Sequence, residues 1–484
     1  MLLKDLLKNI DCDIYYNGNE NIDITGLTHE SSKVKDKNIF ICLRGVNFDG
    51  QNYVYDAISN GARVIASEKQ LSLPDGVSNL VVKDTRKFMA LLASNFYGNP
   101  SKYMKIVSVT GTNGKTTTTY MIESICKSAG FKTGIIGTNG VFVDGQKFET
   151  NMTTPDPIDL QNILHIMKNK GVEIVAMEMS AHALELQKNS GVMSDIAVFT
   201  NLTQDHLDYF KTMENYGKAK KKLFTEKASR FAVINVDDEF SDNLINDIKI
   251  PYVTTSINRE CDFFANSIKN ENNGQSYILS HKNEDTKINI NLDGRFNVQN
   301  SLGAIAVAKR LGITNDKICE GLKNLKAVPG RFNSFNIGGK KFIVDYAHTP
   351  DGLENILNAT RQILNNDGKL ISIFGCGGNR DALKRPIMGE ISSRLADITI
   401  ITSDNPRFEY PLDIIGQIEK GIDKGNEYYI EPDRRKAIKL GFNIAKTNDI
   451  IVVSGKGAED YMDKCGKKTH FSDSEEIINL GSEK

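Results

Sequence analysis

KIVSVTGTNGKTTTT, residues 105–119, decides the architecture. Lys105–Thr110 is an apolar run that reads as a strand, and a helical pattern begins at about Thr116. The turn between them carries Gly111 and Gly114, which permit backbone angles that a side chain would forbid. Amide N–H groups of Gly111, Thr112, Asn113 and Gly114 can then face inward as a nest for phosphate oxygens, and the helix N-terminus adds its positive end. Lys115 can reach terminal phosphates, the Thr116 hydroxyl is placed to ligate Mg²⁺, and Thr117 completes the loop. The long form of this loop has glycine at the position of Val109, so only the shorter GxxGKT form is present. ATP and Mg²⁺ are the expected cofactors.

Outward from this loop, apolar runs alternate with amphipathic segments: Phe131–Ile136, Glu173–Met177, Ile196–Phe199 and Phe231–Asn235. That alternation predicts parallel strands with crossover helices. Asn-rich Ile257–Asp293 reads as a β-rich insertion closing this block. A third block starts near Val328-Pro329-Gly330 and alternates again, with strands at Phe342–Asp345, Leu370–Phe374, Ile398–Thr402 and Ile450–Ser454. Before Tyr97–Ser101 lies a smaller block with runs at Asn38–Leu43 and Ala62–Ala66. The expected fold is α/β in three domains, 1–100, 101–328 and 329–484: a small α/β unit, a central P-loop-type mostly parallel sheet with flanking helices, and a Rossmann-like C-terminal unit.

Composition narrows the class. The chain has 484 residues and a formal net charge of −1, which gives no bulk electrostatic reason to bind nucleic acid or an anionic membrane. Seven scattered cysteines without a CxxC pair argue against a disulfide framework or a zinc site and fit a reducing cytoplasm. Leu2, Leu3, Leu6, Leu7 and Ile10 share one helical face, but charges interrupt them, unlike a signal peptide. No run approaches the ~18 apolar residues that span a bilayer. A monomer is expected.

Two polar clusters follow strands of the central block. Glu178 ends a buried run, which places its carboxylate at the carboxyl edge of the sheet, where α/β folds bind ligands. With Thr116 it offers the hard oxygen ligands that Mg²⁺ prefers; alone, it is as readily a solvent-facing strand end. Asp205, His206 and Asp208 crowd a second strand end, and His206 becomes a candidate for a second metal. The run Lys218, Lys220, Lys221 and Lys222 reads from composition as a solvated helical face.

GTNGKTT, EMSAHAL, TNLTQDHLD and YGKAKKKLF occur in the order in which the Mur ligase family of peptidoglycan synthesis carries them, and the chain resembles that family over essentially its whole length. Within it, the similarity is greatest to UDP-N-acetylmuramoyl-tripeptide synthetases. The resemblance implies an ATP-dependent ligase that joins an amino acid to UDP-N-acetylmuramoyl-L-alanyl-D-glutamate through an acyl-phosphate. It implies that Lys115 and Thr116 hold phosphates and Mg²⁺, that Glu178 and His206 bind metal, and that Lys220 is buried, carbamylated and helps to position Mg²⁺, while Lys218, Lys221 and Lys222 stay unmodified; Lys115, Glu178, His206 and Lys220 form the catalytic group. Thr153, Thr154, Ser180 and Lys188 fall to the UDP-muramoyl-dipeptide. Asn297, Asn300, Arg331, Asp345 and His348 complete the nucleotide site. Ser31 and the loop Gly45–Gly50 match the UDP-binding segments of the first block, although Ser32 stands where the family has Arg.

The third block contains Asp404-Asn405-Pro406-Arg407. An Arg fork binds a carboxylate through two parallel hydrogen bonds, and meso-diaminopimelate carries a distal carboxylate that lysine lacks. The DNPR form resembles enzymes that add meso-diaminopimelate. Arg380 adds a second guanidinium, and Gly455 with Glu459 supplies a carboxylate for the distal ammonium. Asn379 and Ala458 depart from the family's Asp and His. Alternatives are ligation of L-lysine or another amino acid, a folylpolyglutamate-type ligase, or a catalytically silent nucleotide-binding paralogue with a regulatory role.

Overall fold

The structure, a computed structural model, describes residues 1–10, 14–45, 48–148, 152–271, 274–364 and 367–481. Among these residues the strands form three large sheets and a two-stranded ribbon. The middle sheet has eleven strands. Its parallel heart runs in the order 263–271, 252–256, 232–235, 196–199, 105–110, 174–178 and 133–137. Hairpin strands extend both edges antiparallel. The Asn-rich stretch is therefore a continuation of this sheet.

Successive side chains of a strand face opposite ways, and here both faces are covered. Val107 and Val109 pack with helices Lys115–Ser128 and Arg295–Arg310, while Ile106 packs on the other side with helix Pro157–Asn169. Lys105–Thr110 lies between the strands that end in Glu178 and Phe199, with later strands built outward on either side. It is the topological switch point, where neighbouring connections leave toward opposite faces and open a crevice at the carboxyl ends.

The N-terminal sheet has order 14–17, 78–82, 64–67, 38–41, 26–28, parallel apart from its first strand. The leucine face at the start condenses into the short helix Leu3–Leu6, whose Leu3 and Leu6 are completely buried in this unit's core. The C-terminal sheet runs 333–337, 340–345, 450–454, 370–374, 398–401, 427–430, with only the first pair antiparallel. Asp345, Ser454 and Phe374 stand in one row at its carboxyl edge. Among the described residues no helix is long and apolar enough to cross a membrane, and Cys42, Cys126, Cys261, Cys319, Cys376 and Cys465 are free.

Candidate active site

Both loop glycines are demanded by geometry. Gly111 has φ +152°, and a Cβ there would lie 1.8 Å from Thr200 Oγ1; Gly114 has φ +85°, with Asn300 Oδ1 2.3 Å from its would-be Cβ. The loop is clamped by the next strand end: Thr112 N donates to Asn201 O at 2.9 Å, Asn113 N to Asn201 Oδ1 at 2.8 Å, and Thr200 Oγ1 to Asn113 O at 2.6 Å. The N–H groups of Thr112 and Asn113 are thus already used. The anion-facing set narrows to the first turn of helix Lys115–Ser128, which no side chain caps. Lys115 Nζ bends back to Gly111 O (3.0 Å) and Thr112 O (2.8 Å), and burial lowers its pKa. Thr116 is buried, and its hydroxyl accepts from Arg331 Nη2 at 3.1 Å.

Glu178 is 1% exposed. Thr138 holds its carboxylate through N–H (2.9 Å) and hydroxyl (3.0 Å), and the same hydroxyl lies 3.2 Å from Thr153 Oγ1. Gly137 leaves room for this, since a Cβ there would meet Glu178 Oε1 at 2.3 Å. Thr154 Oγ1 donates to Glu178 O, Ser180 caps helix Ala181–Glu185, and buried Lys188 pairs with Asp156 at 2.8 Å. Thr153, Thr154, Ser180 and Lys188 thus converge beside Glu178.

On the other flank, half-buried His206 lies 3.2 Å from Asp205 Oδ2 and edge-on to His182. Desolvation, with His182 and His348 close by, lowers its pKa to about 4, so the ring is neutral at pH 7. Lys220 is not on a solvated face. It is 1% exposed, with Nζ 4.4 Å from the centre of the Tyr216 ring. Burial and the neighbouring charge of Lys115 hold its pKa far below the usual lysine range. The Tyr216 hydroxyl in turn lies 3.3 Å from Thr112 Oγ1, which ties this helix to the phosphate loop.

The C-terminal unit closes the crevice. Arg331 stacks on Tyr346 at 4.5 Å, and Asp345 accepts from Phe332 N and Ala347 N; burial raises the Asp345 pKa. Asp351 accepts from Asn113 Nδ2 and, at 3.0 Å, from Thr203 Oγ1. A cavity of about 380 Å³ results, lined by Lys115, Thr116, Ser180, His206, Arg331 and His348 among others. Asn300 lines it; Asn297 does not, because its Nδ2 is bonded to Asp293 O and its Oδ1 to Asn300.

Ser31 sits away from this cavity in a turn on the N-terminal unit, its carbonyl bonded to Asn60 Nδ2. Of the Gly45–Gly50 loop, Val46 and Asn47 lie outside the described residues. The third-block residues gather at the carboxyl edge of their own sheet. Gly378 N donates to Asn405 O, and Arg407 Nη1 to Gly378 O at 2.8 Å, so the segment after Phe374 and the one after Ile401 form one wall with Pro406 between. Arg380 is exposed on that wall, near enough to His182 to lower its pKa further after burial has done so. Asn379 has φ +52°, a conformation Asn tolerates, and its Oδ1 accepts from Phe408 N. An Asp there would face Glu409, which already accepts from Asn379 N. Ala458 is exposed.

Thr138, Asp351, Arg385 and Lys456 were not singled out by sequence reasoning. Arg385, 1% exposed, grips Glu409 through both oxygens and Gly377 O. Nothing in its helical context distinguishes it from a surface cation.

Comparison with known proteins places these features in a lineage. Mur ligase family sequence models match three segments: residues 23–97 ("Mur ligase family, catalytic domain"), 109–308 ("Mur ligase middle domain") and 330–457 ("Mur ligase, glutamate ligase domain"). The chain is 43% identical over 486 residues to the UDP-N-acetylmuramoyl-L-alanyl-D-glutamate–2,6-diaminopimelate ligase of Clostridium tetani, covering 99% of each chain. It is 41% identical over 490 residues to the enzyme of that name from Clostridium perfringens, again covering 99% of each. A solved structure of a ligase of that name superposes with TM-score 0.71 at 31% identity, covering 100% of this chain and 99% of the other. The chain belongs to the Mur ligase family.

Proposed function

We propose that the chain adds meso-diaminopimelate to UDP-N-acetylmuramoyl-L-alanyl-D-glutamate at the expense of ATP, in peptidoglycan precursor synthesis. The observation that carries this reading is the shared cavity. The phosphate loop, the Glu178 strand end and His206 line or flank one side, and Arg331, Asp345 and His348 come from the C-terminal unit. The reaction is an ATP-dependent amide ligation. The γ-carboxylate of D-glutamate attacks the terminal phosphorus, ADP leaves, and the acyl-phosphate forms. The amine of diaminopimelate then attacks the carbonyl carbon, and phosphate departs as the nitrogen loses its proton.

The chain's residues position and neutralise. Free first-turn N–H groups and Lys115 take the phosphates, with Lys115 swinging off the carbonyls it holds. Arg331 follows developing charge from across the cleft. Thr153, Thr154, Ser180 and Lys188 orient the dipeptide, with Ser31 on its uridine end. Thr116 and Glu178 are hard oxygen donors on adjoining segments, and no cluster of three or more His, Cys, Asp or Glu residues forms a metal cage among the described residues. That donor set fits Mg²⁺: Thr116 and Glu178 would hold the ion, which would supply charge neutralisation at the transferred group. Burial holds the pKa of Lys220 far below the usual lysine range, which favours the free amine; that amine would add CO₂ and release a proton to become a carbamate anion near Lys115 and Asp205. We place the reaction in the cytoplasm, on a monomer, with no nucleic-acid or membrane partner.

Phosphate release is the test. With ATP, Mg²⁺ and the UDP-dipeptide, release is expected with meso-diaminopimelate and at least about tenfold less with L-lysine, the scale of one missing charged hydrogen bond. Equal release with both amino acids overturns the choice of substrate, and release with neither overturns the ligase reading.

A further inference from the structure

Lys456 takes no part in the steps above, yet it is 0% exposed. Burying an ammonium is costly unless it is paired and hydrogen-bonded. Its Nζ donates to Glu459 Oε2 at 3.2 Å and to Asn405 Oδ1 at 3.3 Å, with the Tyr461 ring centre 5.3 Å away. Asn405 closes the triangle: its Nδ2 donates to Glu459 Oε2 at 2.9 Å, and its Oδ1 also accepts from Asp463 N at 2.8 Å. Only one orientation of the Asn405 amide satisfies its three contacts. Among the described residues both hydrogen bonds to the Glu459 carboxylate land on Oε2, which leaves Oε1 for a ligand. Asp404 lies on the same wall, pressed so close to Gly455 that a Cβ there would meet its Oδ2 at 2.7 Å. The wall therefore sets two carboxylates, Asp404 and Glu459, against Arg407 and Lys456. Arg434 is already neutralised by buried Asp473.

We propose that Lys456 is a specificity-determining positioning residue, which aims Glu459 and Asn405 and balances the wall so that it accepts an amino acid whose far end carries both an ammonium and a carboxylate. This rests on the ligase reading above. The reasoning is electrostatic. Arg380 is exposed and faces His182, so beside the buried pair Asp404 and Glu459 the cations are Arg407 and Lys456. With Arg407 alone the two carboxylates favour a bare cation, such as the end of L-lysine, and the buried Lys456 shifts the preference to a zwitterion. Burial raises the pKa of Glu459, Lys456 is the largest opposing influence, and Asp404 raises it further, so Lys456 acts in favour of the ionised carboxylate that an incoming ammonium needs.

The experiment is steady-state kinetics of the full chain with Lys456→Met and Lys456→Arg. Lys456→Met is expected to raise KM for meso-diaminopimelate by about 10- to 100-fold, the range for losing a charged hydrogen bond. It should leave KM for ATP and for the UDP-dipeptide unchanged, and shift the kcat/KM ratio toward L-lysine. Lys456→Arg is expected to recover most of the preference. An unchanged KM for meso-diaminopimelate in Lys456→Met overturns the inference. So does an equal rise for all substrates with a lowered Tm, which marks a merely structural lysine. If Lys456→Met does not fold, Lys456→Arg decides: wild-type discrimination supports the proposal, and lost discrimination with intact Tm overturns it. Wild-type chain that forms no product with any amino acid overturns the ligase reading itself, an outcome distinct from these.

Discussion

His206 shows how one side chain couples the site to pH. Its folded pKa lies near 4, against an ordinary 6.5. The unfolded chain therefore takes up a proton before the folded chain does, and acidification through that window favours unfolding. The contribution of His206 to stability is expected to fall between about pH 6.5 and 4 and to level off below that window. His206→Gln should flatten part of that slope in Tm measured against pH, with His182 and His348, whose pKa values are also lowered, accounting for the remainder. An unchanged slope contradicts the burial argument. Single residues were unevenly legible in the sequence. Gly111, Gly114 and Lys115 follow from local spacing, because a phosphate loop is built from consecutive residues. The burial of Lys220 follows from the family motif and not from local pattern: by composition the lysine run looks solvated, whereas helix Met213–Lys221 packs Tyr216, Ala219 and Lys220 inward.

At the scale of elements, Arg434 joins three segments of the C-terminal unit. It heads helix Arg434–Ile444, binds Asp473 bidentately at 2.7 and 2.8 Å, and donates to Ser403 O and Ser454 O. The two carbonyls immediately precede Asp404 and Gly455, so one buried guanidinium sets the spacing of both halves of the amino-acid wall. Arg434→Ala leaves the Asp473 charge buried and unpaired. It should destabilise the chain by about 3–5 kcal/mol in urea unfolding; a loss under about 1 kcal/mol contradicts the assignment. The strands around this wall were legible as apolar runs, since both sheet faces are buried. Leu370–Phe374 and Ile450–Ser454 coincide with the expected bounds. Edge elements such as Tyr461–Lys464 and Lys467–His470 were not, because exposed polar strands carry no burial pattern.

For the whole molecule, the decisive contacts join residues far apart in sequence. Asn113 meets Asp351 and Thr116 meets Arg331, linking the phosphate loop to the C-terminal unit. No local pattern announces such pairs, which is why Asp351 escaped sequence analysis while Arg331, carried by a family motif, did not. Nucleotide bound between the units should hold them together. ATP with Mg²⁺ at 100 times Kd is expected to stabilise the fold by about 2.7 kcal/mol, read as a rise in Tm, and chelation with EDTA should remove most of the rise. A Tm indifferent to ATP contradicts binding in the cleft.

Transfer of oxygen from substrate to phosphate tests the acyl-phosphate most directly. The UDP-dipeptide is labelled with heavy oxygen in the γ-carboxylate of D-glutamate and turned over with ATP, Mg²⁺ and meso-diaminopimelate, and the released phosphate is analysed by mass spectrometry. Each phosphate should carry one carboxylate oxygen; product formed with unlabelled phosphate would contradict the account.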